Sequence, residues 1–305
     1  MNVEKLTKKV PSSDGSHTLS GVVYRPEGEI KGLFHVVHGM QEYIGRYDKF
    51  MRAMAQEGYL VFGYDHLGHG KTVNSDSELG FIAHEDGWRL LVDDVDVFAG
   101  AVRKEYGDNL PFILFGHSMG SFVVRLAALR FNNYNKLIVM GTGGPNPAAG
   151  AGIALMKIIK TFKGERHVSK TAQKLAFGSY NDRFEGETAH DWLSVDRENI
   201  KRYESDKYCT FHFTVSAMED LLKLVKNSNS ARWFSGLDKE KPVLLIAGGD
   251  DPVGDYGRGV RTVYDKLKKE GANVSLKLYD GYRHEILNEK CFPEVVREIK
   301  AFVSE

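Results

Sequence analysis

The segment Phe112-Ile113-Leu114-Phe115-Gly116-His117-Ser118-Met119-Gly120 runs directly into Ser121–Phe131, a stretch with helical apolar spacing. An apolar run, a G-x-S-x-G pentapeptide and a helix, in that order, describe a strand that turns sharply into a helix with a serine at the turn. Small residues at 116 and 120 let strand and helix approach closely. Ser118 is then held in a strained conformation at the head of the helix, with its Oγ projecting above the sheet. The backbone N–H of Met119 faces the same space.

Outward from this turn the pattern repeats. Leu33–Val37, Tyr59–Tyr64, Leu137–Met140, Val243–Ala247 and Val274–Tyr279 are further apolar runs that end in glycine or aspartate, as expected of strands covered on both faces. Helical patterns separate them over Tyr47–Glu57, Trp88–Tyr106, Gly257–Glu270 and Pro293–Val303. This alternation predicts an α/β fold with a mostly parallel, doubly wound sheet. His17–Tyr24 is expected to add a strand, antiparallel at the edge. The alternation stops between residues 145 and 235, where Ala151–Phe162, Val168–Phe177, Asp191–Ser205 and Thr214–Lys226 have helical character. The expected organisation is a core of residues 1–144 and 236–305 with a helical cap, 145–235, inserted between two of its strands.

Composition narrows the function classes. The 305 residues carry 41 basic and 41 acidic side chains, so there is no electrostatic footprint for nucleic acid. Cys209 and Cys291, the only cysteines, are too few for a disulfide framework and are expected to be reduced thiols. Met1–Ser20 is polar, and the longest apolar runs fall far short of the roughly 20 residues of a membrane span. A soluble, cytoplasmic protein is the expectation.

A serine hydroxyl is a weak nucleophile and needs a base. His284, in Asp280-Gly281-Tyr282-Arg283-His284-Glu285 after the last strand, falls at the same carboxyl edge of the sheet as Ser118. His117, beside the nucleophile, is expected to pack sideways under the turn. An orienting acid between Ser and His in chain order would follow the strand Val243–Ala247, where Gly248-Gly249-Asp250-Asp251-Pro252 offers Asp251 first and Asp250 second. Asp280, Glu285 and Glu289 are expected to be solvated or locally bonded. The turn Val37-His38-Gly39-Met40 could set the Met40 N–H beside that of Met119, giving two donors for a developing oxyanion. His35, His38, His66 and His69 lack a completing Cys or carboxylate at ligand spacing, so no metal is expected.

The chain resembles the α/β-hydrolase superfamily, and within it the monoacylglycerol lipase/lysophospholipase-like group, also described as serine aminopeptidase-like. The resemblance covers nearly the whole chain. It rests on His38-Gly39-Met40-Gln41-Glu42 with Arg46-Tyr47, on Asp65-His66-Leu67-Gly68-His69-Gly70, on Gly116–Ser121, on Gly248-Gly249-Asp250-Asp251-Pro252 and on Arg283–Glu289. It implies the α/β-hydrolase fold, Ser118 as nucleophile, His284 as base, Asp251 rather than Asp250 as acid, and Met40 and Met119 as oxyanion-hole amides. It implies no cofactor, and a mainly structural Asp65–Gly70. Thr72, where many relatives carry Ser, and the bulky Met40 are departures.

The function this implies is hydrolysis of carboxylic esters through an acyl-enzyme, with monoacylglycerol, lysophospholipid or other short-to-medium acyl esters as substrates. An aminopeptidase-type peptidase is the alternative, and would need acids such as Glu185, Glu187 or Asp191 aimed at a substrate ammonium. A non-catalytic ligand sensor is the other, and would tolerate a damaged triad. Partners are limited to a small-molecule acyl ester, with at most transient membrane-surface contact through the cap. Ile153, Leu155, Met156, Ile158, Ile159 and Phe162 of the cap could line an acyl pocket or meet lipid, or could serve only to pack the cap. The sequence leaves oligomeric state open.

Overall fold

A computed structural model describes residues 2–184 and 186–305; Glu185, one of the cap acids considered above, lies outside the described residues. Eight strands form one sheet: β1 (Val3–Pro11), β2 (Thr18–Pro26), β3 (Gly32–Val37), β4 (Tyr59–Tyr64), β5 (Phe112–His117), β6 (Lys136–Met140), β7 (Val243–Gly248) and β8 (Val274–Tyr279). Their spatial order is β1-β2-β4-β3-β5-β6-β7-β8. The pairs β1–β2 and β2–β4 are antiparallel and all others parallel. This is the α/β-hydrolase fold.

The uninterrupted apolar runs are explained by burial on two sides. Leu33, Val37, Leu114 and Val139 enter one core with the helices α2 (Gly87–Tyr106), α3 (Met119–Phe131) and α9 (Arg258–Lys269). Their neighbours Phe34, Val36, Phe115 and Ile138 enter the other, with α1 (Asp48–Ala55) and α10 (Phe292–Ser304). Because side chains alternate across a strand, both sets must be apolar.

Four features differ from expectation. The polar N-terminus forms β1, whose nine residues pair along the whole of β2 from Val3↔Pro26 to Pro11↔Thr18. As an edge strand, with Lys5, Lys8 and Lys9, it needs no apolar run and gives no such signal. The strand expected at the edge, β2, is therefore second from it. At the other edge β8 is not continuously buried: Ser275 and Lys277 face solvent. Finally, Asp191–Ser205 is not one helix. A 3-10 turn, Asp191–Leu193, precedes α6 (Arg197–Ser205), which starts where the Asp196 side chain accepts from the Glu198 and Asn199 amides.

Between β6 and β7 lie α4 (Ala149–Lys163), α5 (Lys170–Phe177), α6, α7 (Val215–Ser228) and α8 (Ala231–Gly236). Helix α7 packs on α4 and on both α2 and α3, so the insertion is seated on the helix that follows Ser118. No helix among the described residues is long and apolar enough to cross a membrane. The parallel strands send the loops after β3, β5, β6, β7 and β8 to one edge. There the strand order reverses about β3, the position at which open α/β sheets bind ligands.

Candidate active site

Ser118 occupies the turn between β5 and α3 with φ 53° and ψ −121°, a conformation an L-residue adopts only when its surroundings enforce it. The enforcement is visible. A Cβ at Gly116 would collide with the Gly120 carbonyl, and a Cβ at Gly120 would collide with the carbonyls of Val37 and His38. The Ser118 amide donates to the Met140 carbonyl of the neighbouring strand at 3.0 Å. The serine itself is half-buried, while Met119 behind it is buried. A Cβ at Gly39 would lie 2.8 Å from the Ser118 Cβ, so the loop after β3, with Met40, stands directly beside the Ser118 turn.

His284 arrives from the loop after β8 and is buried. Its Nδ1 lies 2.9 Å from Oδ2 of the fully buried Asp251 in the loop after β7, so the Nδ1–H donates to the carboxylate. The other Asp251 oxygen accepts the Val253 amide at 2.9 Å. Asp250, by contrast, is exposed. Burial would lower the His284 pKa, but the charge and hydrogen bond of Asp251 outweigh it and raise the imidazole above its ordinary 6.5. A Cβ at Gly141 would lie 3.1 Å from the His284 Cε1, which sets the ring against the loop that receives the Ser118 amide. Among the described residues no hydrogen bond joins Ser118 Oγ to His284; such bonds often tighten only when substrate is bound.

Behind these groups is a buried polar layer that the sequence does not announce. Glu42 Oε1 accepts from the Gly39 amide at 2.5 Å and the Tyr47 hydroxyl at 2.7 Å, and lies 3.1 Å from His117 Nδ1. Burial would raise the Glu42 carboxyl, but His117 and the Arg46 charge hold it below its ordinary value. As expected, His117 packs under the turn, with Nε2 3.3 Å from the His284 carbonyl. Glu285 is not solvated; it has a local bond from Asn288 at 3.3 Å, but its main partners are distant. It is buried, paired with Arg46 through both oxygens, and bonded by Asn199 of α6 at 2.7 Å. Glu289 is likewise buried and accepts the Val195 amide at 2.8 Å, whereas Asp280 is exposed. Local sequence cannot reveal Arg46–Glu285, because its partners are brought together by the sheet. From the insertion, Trp192 lies over the His284 ring with centroids 5.2 Å apart, backed by Tyr180 at 5.0 Å.

Glu42 fixes the amide that precedes Met40, so removing its charge should loosen that loop. Glu42→Gln is expected to lower kcat about 10- to 100-fold with KM changed by less than about threefold. Steady-state kinetics on a soluble ester test this. A rise in KM at constant kcat would mean that Glu42 serves substrate binding instead.

The cluster of His38, His66 and His69 is fully buried. His38 props the turn, with Nδ1 2.8 Å from the Gly39 carbonyl and Nε2 accepting the His66 amide at 3.0 Å. No group of side chains suited to a metal ion occurs among the described residues. Thr72 bonds on both sides, donating to the Asp65 carbonyl at 2.5 Å and accepting the Ser20 amide at 2.9 Å.

Comparison with known proteins gives a consistent result. A model of the family described as "Serine aminopeptidase, S33" matches residues 28–291. A monoacylglycerol lipase of Mycolicibacterium smegmatis is 26% identical, over 96% of this chain and 98% of that protein. A monoglyceride lipase of Mus musculus is 26% identical, over 92% of this chain and 85% of that protein. The crystal structure of a thermostable carboxyl esterase from Bacillus coagulans, in complex with glycerol, superposes with a TM-score of 0.91 at 27% identity, covering 100% of this chain and 98% of that one.

Proposed function

We propose, for a chain that belongs to the serine aminopeptidase S33 family of α/β-hydrolases, that Ser118, His284 and Asp251 together cleave carboxylic esters, with the Met40 and Met119 amides as oxyanion donors. Family membership and full-length likeness to lipases and esterases make the protein a serine ester hydrolase; the residue roles are our own assignment. The observation that carries them is the His284–Asp251 hydrogen bond at 2.9 Å, presented at the same sheet edge as a serine in a strained turn.

His284 Nε2 takes the Ser118 proton as Oγ bonds to the ester carbonyl carbon, and Asp251 stabilises the imidazolium and fixes its tautomer. The carbonyl electrons move to oxygen, where the two amides hold the charge. Collapse breaks the bond to the alcohol, which leaves with the proton from His284. Water, deprotonated by the same imidazole, then releases the acid and restores Ser118.

The substrates we infer are monoacylglycerol, lysophospholipid or other short-to-medium acyl esters. No placement among the described residues favours a peptidase. Asp191 is buried, but its carboxylate is taken by Arg197 and Thr188, and Glu187 faces solvent. Turnover of p-nitrophenyl esters of graded acyl length, set against aminoacyl anilides, tests the assignment; anilides turned over in preference to every ester would replace it.

We take residues 145–235 as a cap, and a surface of it as the site of transient membrane contact. Phe162, Leu175 and Ile158 are 80%, 71% and 56% exposed on α4 and α5, too open to serve packing. Lys157, Lys163, Lys170 and Lys174 on the same helices are exposed and complement anionic headgroups. Phe162→Glu combined with Leu175→Glu is expected to lower turnover of an ester carried in anionic vesicles about tenfold, with little effect on a dissolved short-chain ester. Equal loss on both would remove the lipid contact.

A further inference from the structure

Arg125, seven residues beyond Ser118 on α3, is fully buried, and among the described residues it has no carboxylate partner. A buried guanidinium without a counter-charge is costly, and an apolar residue of similar size would avoid the cost. Its hydrogen bonds suggest what the cost secures. Nη1 donates to Thr142 Oγ1 at 3.2 Å and to the Gly143 carbonyl at 3.4 Å. Nη2 donates to the Ser228 carbonyl, and to Asn229 Oδ1 at 3.1 Å. The first pair of acceptors lies just past β6, where the chain enters the insertion, and the second at the end of α7, where it leaves. Asn229 Nδ2 closes the set with a bond to the Gly143 carbonyl at 3.4 Å. The planar fork of arginine can serve two such segments at once, which a lysine point charge cannot do in the same geometry.

The fork is itself locked. The guanidinium lies 4.1 Å over the Trp233 ring, and the Trp233 indole N–H donates to the Arg125 carbonyl at 2.6 Å. The entry segment is wedged as well: a Cβ at Gly143 would come within 3.0 Å of the Val253 carbonyl, two residues past Asp251.

We propose that Arg125 is a positioning residue, a clasp that ties both roots of the insertion to the nucleophile helix and so fixes the insertion over the site. It follows that the unit able to move ends at Ser228–Asn229, and that α8 with Trp233 belongs to the fixed body although it lies within 145–235. The consequence for acyl-chain selection rests on the ester-hydrolase assignment above; the clasp itself does not.

Arg125→Met keeps length and packing on Trp233 but removes the fork. Amide hydrogen exchange is expected to accelerate at least about tenfold at both residues 142–146 and residues 226–230, with the central strands unchanged. Acceleration at only one root, or at neither, would overturn the clasp. In the same variant kcat/KM for an acetyl ester is expected to stay within about threefold, while that for a dodecanoyl ester falls at least about tenfold, through KM. A chain-length profile parallel to wild type would overturn the link to selection. Should Arg125→Met not fold, Thr142→Val and Asn229→Ala each remove one side-chain acceptor of the fork, at the entry and the exit root respectively, and each is expected to accelerate exchange there in a folded protein. A wild type that turns over no ester would refute the ester assignment and leave the exchange results to decide the clasp.

Discussion

Replacing Ser118 by alanine is expected to lower kcat/KM for a p-nitrophenyl ester about ten-thousand-fold and to abolish labelling by a fluorophosphonate probe. The methyl group fits the same strained turn, since the Ser118 backbone is held by the Met140 carbonyl and by the glycine contacts at 116 and 120 rather than by its hydroxyl. Stability should therefore be unchanged, and the loss chemical. His284→Ala should cost as much, and the double variant little more, because nucleophile and base act as one unit. In the wild type kcat/KM should rise with pH as His284 loses its proton. Since the Asp251 carboxylate raises its pKa above 6.5, that limb should lie above pH 6.5. A labelled, active Ser118→Ala protein would overturn the assignment outright.

The second large effect is expected in stability. His35, His38, His66 and His69 are all fully buried, and burial pushes His35 down to about 3, His69 to about 4, and His38 and His66 well below 6.5. The unfolded chain takes up these protons near pH 6.5 and the folded chain does not, so stability is full above that pH and is lost as pH falls through it. An imidazole that stays neutral in the fold costs about 1.4 kcal/mol per pH unit below its unfolded value, about 2 kcal/mol for His35 at about pH 5. Groups whose pKa is raised on folding act in the opposite sense, among them Asp65, Asp94, Asp220, Glu289 and His284. Burial raises Asp220 to about 7 and Asp65 to about 6, so the folded state gains protons over the same range and these two alone recover about 4 kcal/mol. The histidine share of stability is therefore expected to be lost between about pH 8 and about pH 5, opposed by these groups.

Urea unfolding at the two pH values measures it. His35 isolates one contribution: its ring stacks on Phe62 at 4.6 Å, and neither nitrogen has a hydrogen-bond partner. His35→Leu should be at least as stable as wild type at about pH 8 and should reduce the acid loss by about 2 kcal/mol. An undiminished loss would mean that His35 is not the group titrating.

The strand–turn–helix around Ser118 could be read directly, because both the apolar run and the two glycines are local requirements of one turn. The central strands were equally plain, since burial on two faces demands unbroken apolar runs. Asp251 and His284 could be placed at the right edge from the strands they follow, but their 2.9 Å hydrogen bond needed coordinates. The polar edge strand β1 left no apolar signal, because half of its surroundings are water.

Sequence by itself determined the architecture, the Ser118 turn and the order in which Ser118, Asp251 and His284 follow their strands, all of which follow from short-range patterns of polarity and glycine. Tertiary structure alone decided that Glu42 grips the Gly39 amide, that Glu285 is buried against Arg46 rather than solvated, and that one arginine reaches both roots of the insertion. The physical reason is that a charged residue has the same one-dimensional appearance in water and in a core. Only the partner that compensates its burial tells the two apart, and for Glu285 and Arg125 those partners lie tens to hundreds of residues away.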